Sequence, residues 1–127
     1  DNRFVLKDTD RLKEYLFSLY ADTIAERAYI LFLNKGFRLI KYELICEGSI
    51  DEVYLDIKKA VRRALMNHAA YVVLTHNHPS GLVFPSDSDI ISTRELSEAL
   101  NTVKIGFWDH VIVGGNQYYS FRESRNY

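Results

Sequence analysis

Hydrophobic residues recur along the chain with two different periods, and the change of period divides it into helices and strands. At residues 9–20 they recur at helical spacing after a Thr-Asp start, which predicts an amphipathic N-terminal helix. Residues 28–33 form a continuous apolar run, and the polar turn at residues 34–36 links it to residues 37–45. Two such segments joined by a short turn predict a β-hairpin.

The second half of the chain alternates helical and strand patterns. Helical spacing at residues 53–65 leads into residues 71–75, an apolar run typical of a strand buried on both faces. A third helix is predicted at residues 86–100, followed by two closing strands at residues 104–113 and 117–121. This order predicts an α/β or α+β fold, a mixed sheet with interleaved helices.

Composition excludes several classes of protein. The 127 residues are 47% hydrophobic, which is enough for one globular core. With 16 basic and 17 acidic residues and no run of about five like charges, broad binding to a nucleic-acid backbone is not expected. The single cysteine excludes an internal disulfide and any multi-cysteine metal site.

The location of the protein is predicted from what the sequence lacks. There is no secretory signal and no apolar run long enough to span a membrane, so the cytoplasm is expected and a membrane partner is not. The chain starts without an initiator Met, which suggests that it is part of a longer protein.

Two histidines lie where the predicted central strand runs out into a loop, a usual place for functional side chains. His76 and His78 are two positions apart, and such side chains point to the same side of an extended backbone. Both imidazoles can therefore bind one metal ion. A His-x-His pair alone is also consistent with two histidines that face solvent or are hydrogen-bonded in a turn.

A third ligand is offered by Asp89 at the start of the predicted third helix. Catalytic zinc typically takes three protein ligands and keeps the fourth position for water. Ser86-x-x-Asp89 is also a capping box, in which the serine caps the helix and the carboxylate bonds back to it. The histidines upstream favour the metal interpretation. A zinc deaminase is excluded, because it needs a Pro-Cys-x-x-Cys pair and this sequence has a single cysteine.

The spacing His-x-His, seven residues, Ser, two residues and Asp matches the JAMM metalloprotease signature. The longer motif of residues 76–81, Pro85-Ser86, Asp89 and Thr93 resembles the RadC family, whose C-terminal domain has the JAMM (MPN-like) fold. The likeness covers about residues 24–124 and is weak over residues 1–23. We therefore expect one RadC-type domain over residues 1–127, with an N-terminal helix in residues 1–23 and the core in residues 24–124.

The resemblance implies a three-layer architecture like that of cytidine deaminases and a zinc ion bound by His76, His78 and Asp89. It also implies that Ser86 donates a hydrogen bond to the reacting oxygen. A glutamate near the start of the first strand would act as general acid and base, and Glu26 fits that place. Three rivals remain open for this role: Glu43, Glu47 and Glu52.

Together with the metal motif, the resemblance implies a zinc-dependent metallopeptidase or isopeptidase that acts on a peptide or isopeptide bond. A non-catalytic module for DNA repair or protein interaction stays an alternative, as does a metal-dependent nuclease. RadC proteins typically carry an N-terminal helix-hairpin-helix region that is absent here, so any nucleic-acid contact is expected to be weak or to belong to that region. Exposed strand edges would allow a homodimer.

Four further residues are left outside the predicted site. We interpret His68 as a partner of a helix dipole at its C-terminus, and Cys46 as a buried strand residue. His110 is assigned to core packing in preference to support of a metal ligand. Thr93, one turn beyond Asp89, is assigned to support of that carboxylate or of the helix.

Overall fold

A computed structural model describes residues 4–48 and 55–124, which form a five-stranded sheet flanked by helices. The elements are α1 (Thr9–Leu19), β1 (Arg27–Leu33), β2 (Leu39–Glu47), α2 (Ile57–Met66), β3 (Tyr71–Asn77), α3 (Asp87–Thr102), β4 (Gly106–Gly114), β5 (Gln117–Ser120) and α4 (Phe121–Ser124). The strand order is β2-β1-β3-β4-β5, with β3 and β4 parallel and the other pairs antiparallel. The predicted mixed α/β fold is confirmed.

Apolar side chains of the central strands alternate between two cores, one on each face of the sheet. Leu31 and Val73 belong to the core that contains Leu12 and Leu16 of α1. The second core combines the alternate strand positions with α2 and α3: Ile30, Phe32, Val72, Leu74, Ala60, Ala64, Leu96 and Leu100. One helix therefore covers one face and two helices cover the other, which makes the three layers that the family resemblance implied.

Several element boundaries differ from the prediction. Strand β2, expected over residues 37–45, is Leu39–Glu47, and Phe37 precedes it with a φ of 63°. Strand β3 continues to Asn77, so the first histidine of the pair lies within it. Lys104 was expected in β4 but has a φ of 64° in the preceding turn, and β4 begins at Gly106. The one-turn helix α4 was not predicted; its first amides are capped by Ser120, whose Oγ accepts from Glu123 N at 3.1 Å. The predicted start of α2 at Val53 lies outside the described residues.

The connection β3–α3–β4 positions the functional residues. Parallel neighbours need a crossover, and α3 supplies it between β3 and β4. The carboxyl end of β3, the first turn of α3 and the adjoining part of β4 therefore lie close together, at the end of the sheet where β3 stops. Strands β2 and β5 form the two lateral edges, and pairing of copies through such an edge stays a prediction. Among the helices of residues 4–48 and 55–124, none is long and apolar enough to cross a membrane.

Candidate metal centre

The three side chains predicted as metal ligands converge at the end of β3. His76 Nε2 lies 2.9 Å from His78 Nε2 and 3.2 Å from Asp89 Oδ1. His78 Nε2 lies 3.7 Å from Asp89 Oδ2. One potential ligand atom of each residue lies within 4.8 Å of the other two, so this group can hold a metal ion. His76 and Asp89 are buried and His78 is half-buried, as expected for a site that is open on one side.

A capping box holds the Asp89 carboxylate in place. Ser86 is the N-cap of α3, and its Oγ accepts from Asp89 N at 3.0 Å. Asp89 Oδ2 in turn accepts from Ser86 N at 2.9 Å, which leaves Oδ1 as the carboxylate oxygen nearest to His76. The capping and ligand interpretations of this tetrad are therefore compatible, because the box fixes the rotamer that presents the carboxylate to the histidines.

The hydrogen bond at the far side of the His78 ring determines which nitrogen faces the cluster as a lone pair. His78 Nδ1 lies 2.7 Å from the carbonyl oxygen of Leu82. A carbonyl only accepts, so Nδ1 carries the proton and Nε2 presents a lone pair. This arrangement is the usual one for a metal-binding histidine.

A chain of buried groups makes the same assignment for His76. The Thr93 hydroxyl donates its proton to the carbonyl oxygen of Asp89 at 2.7 Å, so it accepts from His110 Nδ1 at 2.6 Å. His110 Nε2 then accepts from His76 Nδ1 at 2.8 Å. The proton of neutral His76 is thereby held on Nδ1, and its Nε2 lone pair faces the cluster.

The donor set can therefore hold a cation, because two imidazole lone pairs and a carboxylate converge on one point. Burial acts to raise the pKa of Asp89, but the contact with His76 and the Ser86 amide outweigh it and hold that pKa well below its usual range. Burial also lowers the pKa of His110 well below its usual value, which favours the neutral ring. Two neutral nitrogens and one anionic oxygen suit zinc.

His110 packs in the core, as expected, and it also contacts a predicted metal ligand. Its ring is fully buried and stacks on Phe121 at a centroid distance of 4.7 Å, but it also contacts His76 directly. In the β3–β4 ladder His110 pairs with Leu74, two residues before His76 on the same face. The pairing of β3 with β4 cannot be inferred from one sequence, so the contact between His110 and His76 was not predicted. The four-residue spacing from Asp89 to Thr93 does predict that these two residues lie on one face of the helix.

Replacing His110 by leucine is expected to weaken zinc binding by about 10- to 100-fold, because His76 Nδ1 loses the acceptor that fixes its ring. A competition titration against a zinc-chelating dye measures the effect. Phe121→Leu is the matched control, since it disturbs the ring stack and leaves the His76 contact. An unchanged zinc affinity in a folded His110→Leu protein would contradict the role assigned to His110.

Glu26 lies at the same end of the sheet, without a direct contact to the three candidate ligands. Ala28 pairs with His76 across the β1–β3 ladder, so Glu26, just before β1, lies near the level of His78. Glu26 is half-buried, and its carbonyl accepts from Gly48 N at 2.9 Å. Within residues 4–48 and 55–124, no hydrogen bond or ion pair joins its carboxylate to the three ligands.

The rival glutamates differ in their surroundings. Glu43 receives hydrogen bonds from Arg63 and Asn67, with Arg63 Nη2 at 2.6 Å, and these bonds hold its pKa below the usual range. A carboxylate committed in this way is poorly suited to exchange protons with a substrate. Glu47 is exposed at the end of β2, and Glu52 lies outside the described residues.

Asn77, which sequence reasoning passed over, braces the segment that carries Glu26. Its side chain is almost fully buried, and Oδ1 accepts from Arg27 N at 2.7 Å. Its Nδ2 donates to the carbonyl oxygen of Ala25 at 3.0 Å. The backbone on both sides of Glu26 is therefore fastened to the residue between the two histidine ligands.

The chain is similar to proteins of one bacterial family over nearly its whole length. The family model described as "RadC-like JAB domain" matches residues 6–126. A UPF0758 protein of Vibrio campbellii is 41% identical over 118 residues, which is 93% of this chain and 53% of the relative. The UPF0758 protein YeeS of Escherichia coli is 42% identical over 115 residues, 91% of this chain and 78% of the relative. The chain thus spans about half the length of its Vibrio relatives.

Proposed function

The chain belongs to the family of RadC-like JAB domains, and on that basis we propose that it is a zinc-dependent hydrolase that cleaves peptide or isopeptide bonds. The observation that carries the proposal is the convergence of His76, His78 and Asp89, with the second nitrogen of each ring already committed to a partner. A set of three protein ligands at a half-open position is the arrangement of catalytic rather than structural zinc.

A zinc ion held by these three residues would lower the pKa of a bound water toward neutrality and polarise a carbonyl oxygen. Glu26 accepts the proton that the attacking water releases, and it later delivers that proton to the leaving amine nitrogen. The Ser86 hydroxyl donates a hydrogen bond to the carbonyl oxygen as negative charge develops there. The overall reaction consumes one water and one amide bond and yields a carboxylic acid and an amine.

Each ligand also has a task besides binding. Asp89 supplies one negative charge, which moderates the electrophilicity of a divalent ion compared with a third neutral imidazole. The hydrogen bonds from Thr93 through His110 hold the His76 ring, and the Leu82 carbonyl holds the His78 ring. Both Nε2 atoms are therefore oriented towards the site without a bound ion.

Elemental analysis of the purified domain, followed by a cleavage screen, tests the proposal. We expect one zinc ion per chain, together with cleavage of a peptide or isopeptide library that a chelator abolishes and added zinc restores. A chain without bound metal would refute the hydrolase.

Two further outcomes distinguish the alternatives. Bound zinc with cleavage of phosphodiesters but not amides would establish a nuclease in its place. Bound zinc with neither reaction, in a screen that includes both substrate classes, would favour a non-catalytic module.

A further inference from the structure

The outer side of strand β2 is an open edge of the sheet. β2 lies at one end of the strand order and pairs with β1 on its inner side. Its start is covered by residues 4–6, because Leu39 N donates to the carbonyl oxygen of Phe4 at 2.8 Å. Over residues 40–47, the described part of the chain supplies no backbone partner on this outer side. We call residues 40–44 the β2 edge.

Apolar side chains stand along the β2 edge on the face that α1 covers. Ile40, Tyr42 and Leu44 are 42%, 44% and 41% exposed. Tyr42 contacts Tyr29 of β1 on this face, with 5.7 Å between the ring centroids. Soluble proteins usually protect a sheet edge by keeping it short and charged, whereas β2 has nine residues and exposes three large apolar side chains. Such an edge favours pairing with a further strand.

The other face of the β2 edge carries one charge of each sign. Glu43 faces α2, where Arg63 Nη2 donates to its Oε1 at 2.6 Å. Lys41 shares this face, with its Nζ 3.7 Å from the same carboxylate oxygen. From residue 40 to residue 44 the side chains are therefore apolar, basic, aromatic, acidic and apolar. This order is complementary to itself when a second copy runs in the opposite direction.

Two-fold symmetry determines which residues of two copies would face each other. When two identical strands pair antiparallel, one residue faces its own copy on the symmetry axis. With Tyr42 on the axis, Lys41 faces Glu43 of the second copy. On the other face of the sheet, Ile40 then faces Leu44 of the second copy. A shift of the axis by one residue would place Lys41 or Glu43 opposite itself, which is repulsive.

A hollow beside the β2 edge fits the apolar side chain that this register brings to it. The hollow has a volume of about 350 Å³ and is lined by Phe4, Tyr15 and residues 39–42. Phe4 and Tyr15 form one wall, where their rings meet edge to face at a centroid distance of 6.1 Å. Leu44 of the second copy, opposite Ile40, would enter this hollow. Each copy would therefore bury an apolar side chain of the other.

We propose that two copies of this chain associate through their β2 edges, with Tyr42 on the two-fold axis. The two five-stranded sheets become one continuous sheet across the interface. Strand β1 separates β2 from β3, so the candidate metal centre lies away from the interface. The proposal uses none of the residues assigned to the hydrolase.

Sedimentation velocity over a range of concentrations tests the association. We expect the unmodified protein to be a mixture of monomer and dimer at micromolar concentration. Lys41→Glu alone and Glu43→Lys alone are each expected to weaken association by about tenfold or more, because each brings like charges face to face twice in a symmetric pair. A mixture of the two variants should form dimers again, since each contact then joins opposite charges.

Lys58→Glu is the matched control for a charge reversal. Lys58 is exposed and lines the groove between α2 and α3, so it lies away from β2, and its reversal should leave association unchanged. Because Glu43 also pairs with Arg63, circular dichroism checks that Glu43→Lys is folded. Tyr42→Lys is a second variant that leaves this ion pair intact. It places like charges opposite each other on the axis and is expected to give monomers.

A protein that stays monomeric up to millimolar concentration would overturn the proposal. Dimers that persist in Tyr42→Lys would show that another surface joins the copies, and they would overturn it as well. The same holds if both single charge reversals associate as strongly as the Lys58→Glu control. Zinc content and amide cleavage do not enter these measurements, so failure of the pairing is separate from failure of the hydrolase.

Discussion

His76→Ala is expected to abolish zinc retention, with bound zinc falling from one ion per chain to near zero after dialysis. The substitution removes one of three ligand atoms and leaves His110 Nε2 without its donor in a fully buried position. Two remaining ligands, one of them half-buried, do not compete well with water for the ion. Inductively coupled plasma mass spectrometry of the dialysed protein measures the loss.

His68→Asn serves as the matched control for a removed imidazole. His68 follows α2 with a φ of 54°, a conformation that asparagine tolerates, and it takes no part in the cluster. Because His76 is buried, a folding check by circular dichroism accompanies the metal analysis. Asp89→Asn is a second variant, which keeps an oxygen for the capping box and removes the charge. Full zinc retention in folded His76→Ala would eliminate this site.

Glu26→Gln is expected to retain zinc and to lose amide cleavage by about 10²- to 10⁴-fold in kcat, the usual contribution of a general acid or base. Glutamine keeps the size and polarity of the side chain but cannot take up and return a proton. Initial rates with a peptide found in the cleavage screen, paired with zinc content, separate the two effects.

Glu47→Gln is the matched control, since Glu47 pairs with Arg27 across the β1–β2 ladder and is exposed. Its turnover should equal that of the unmodified protein. Unchanged turnover in Glu26→Gln would remove Glu26 from the mechanism, and a loss confined to Glu47→Gln would transfer the role to that residue.

The predictable part of the molecule is the part encoded in local sequence. Runs of apolar residues located β1 and β3, and helical spacing located α1 and α3, because these patterns depend on neighbours a few positions apart. The convergence of the three candidate ligands was equally predictable, since the strand places His76 and His78 on one side and the capping box places Asp89.

What the sequence did not reveal depends on pairing between distant segments. His110 meets His76 only because β4 lies parallel to β3 in one register, and a shift by one residue would turn it to the other face. Asn77 reaches Ala25 and Arg27 only because β1 runs antiparallel to β3 at that level. Lys104 was misplaced for a local reason, a left-handed turn residue that is not glycine.

The capping box at the start of α3 bears on how related sequences should be interpreted. Ser86 and Asp89 stabilise the first turn of the helix through bonds that need no ion, so selection for helix stability alone can preserve both residues. The His78 ring, by contrast, has one nitrogen on a loop carbonyl and the other directed only at the cluster. A related domain without the proposed metal site would therefore keep the Ser-x-x-Asp tetrad for its helix and diverge first at the second histidine, so His78 is the better marker of the complete donor set.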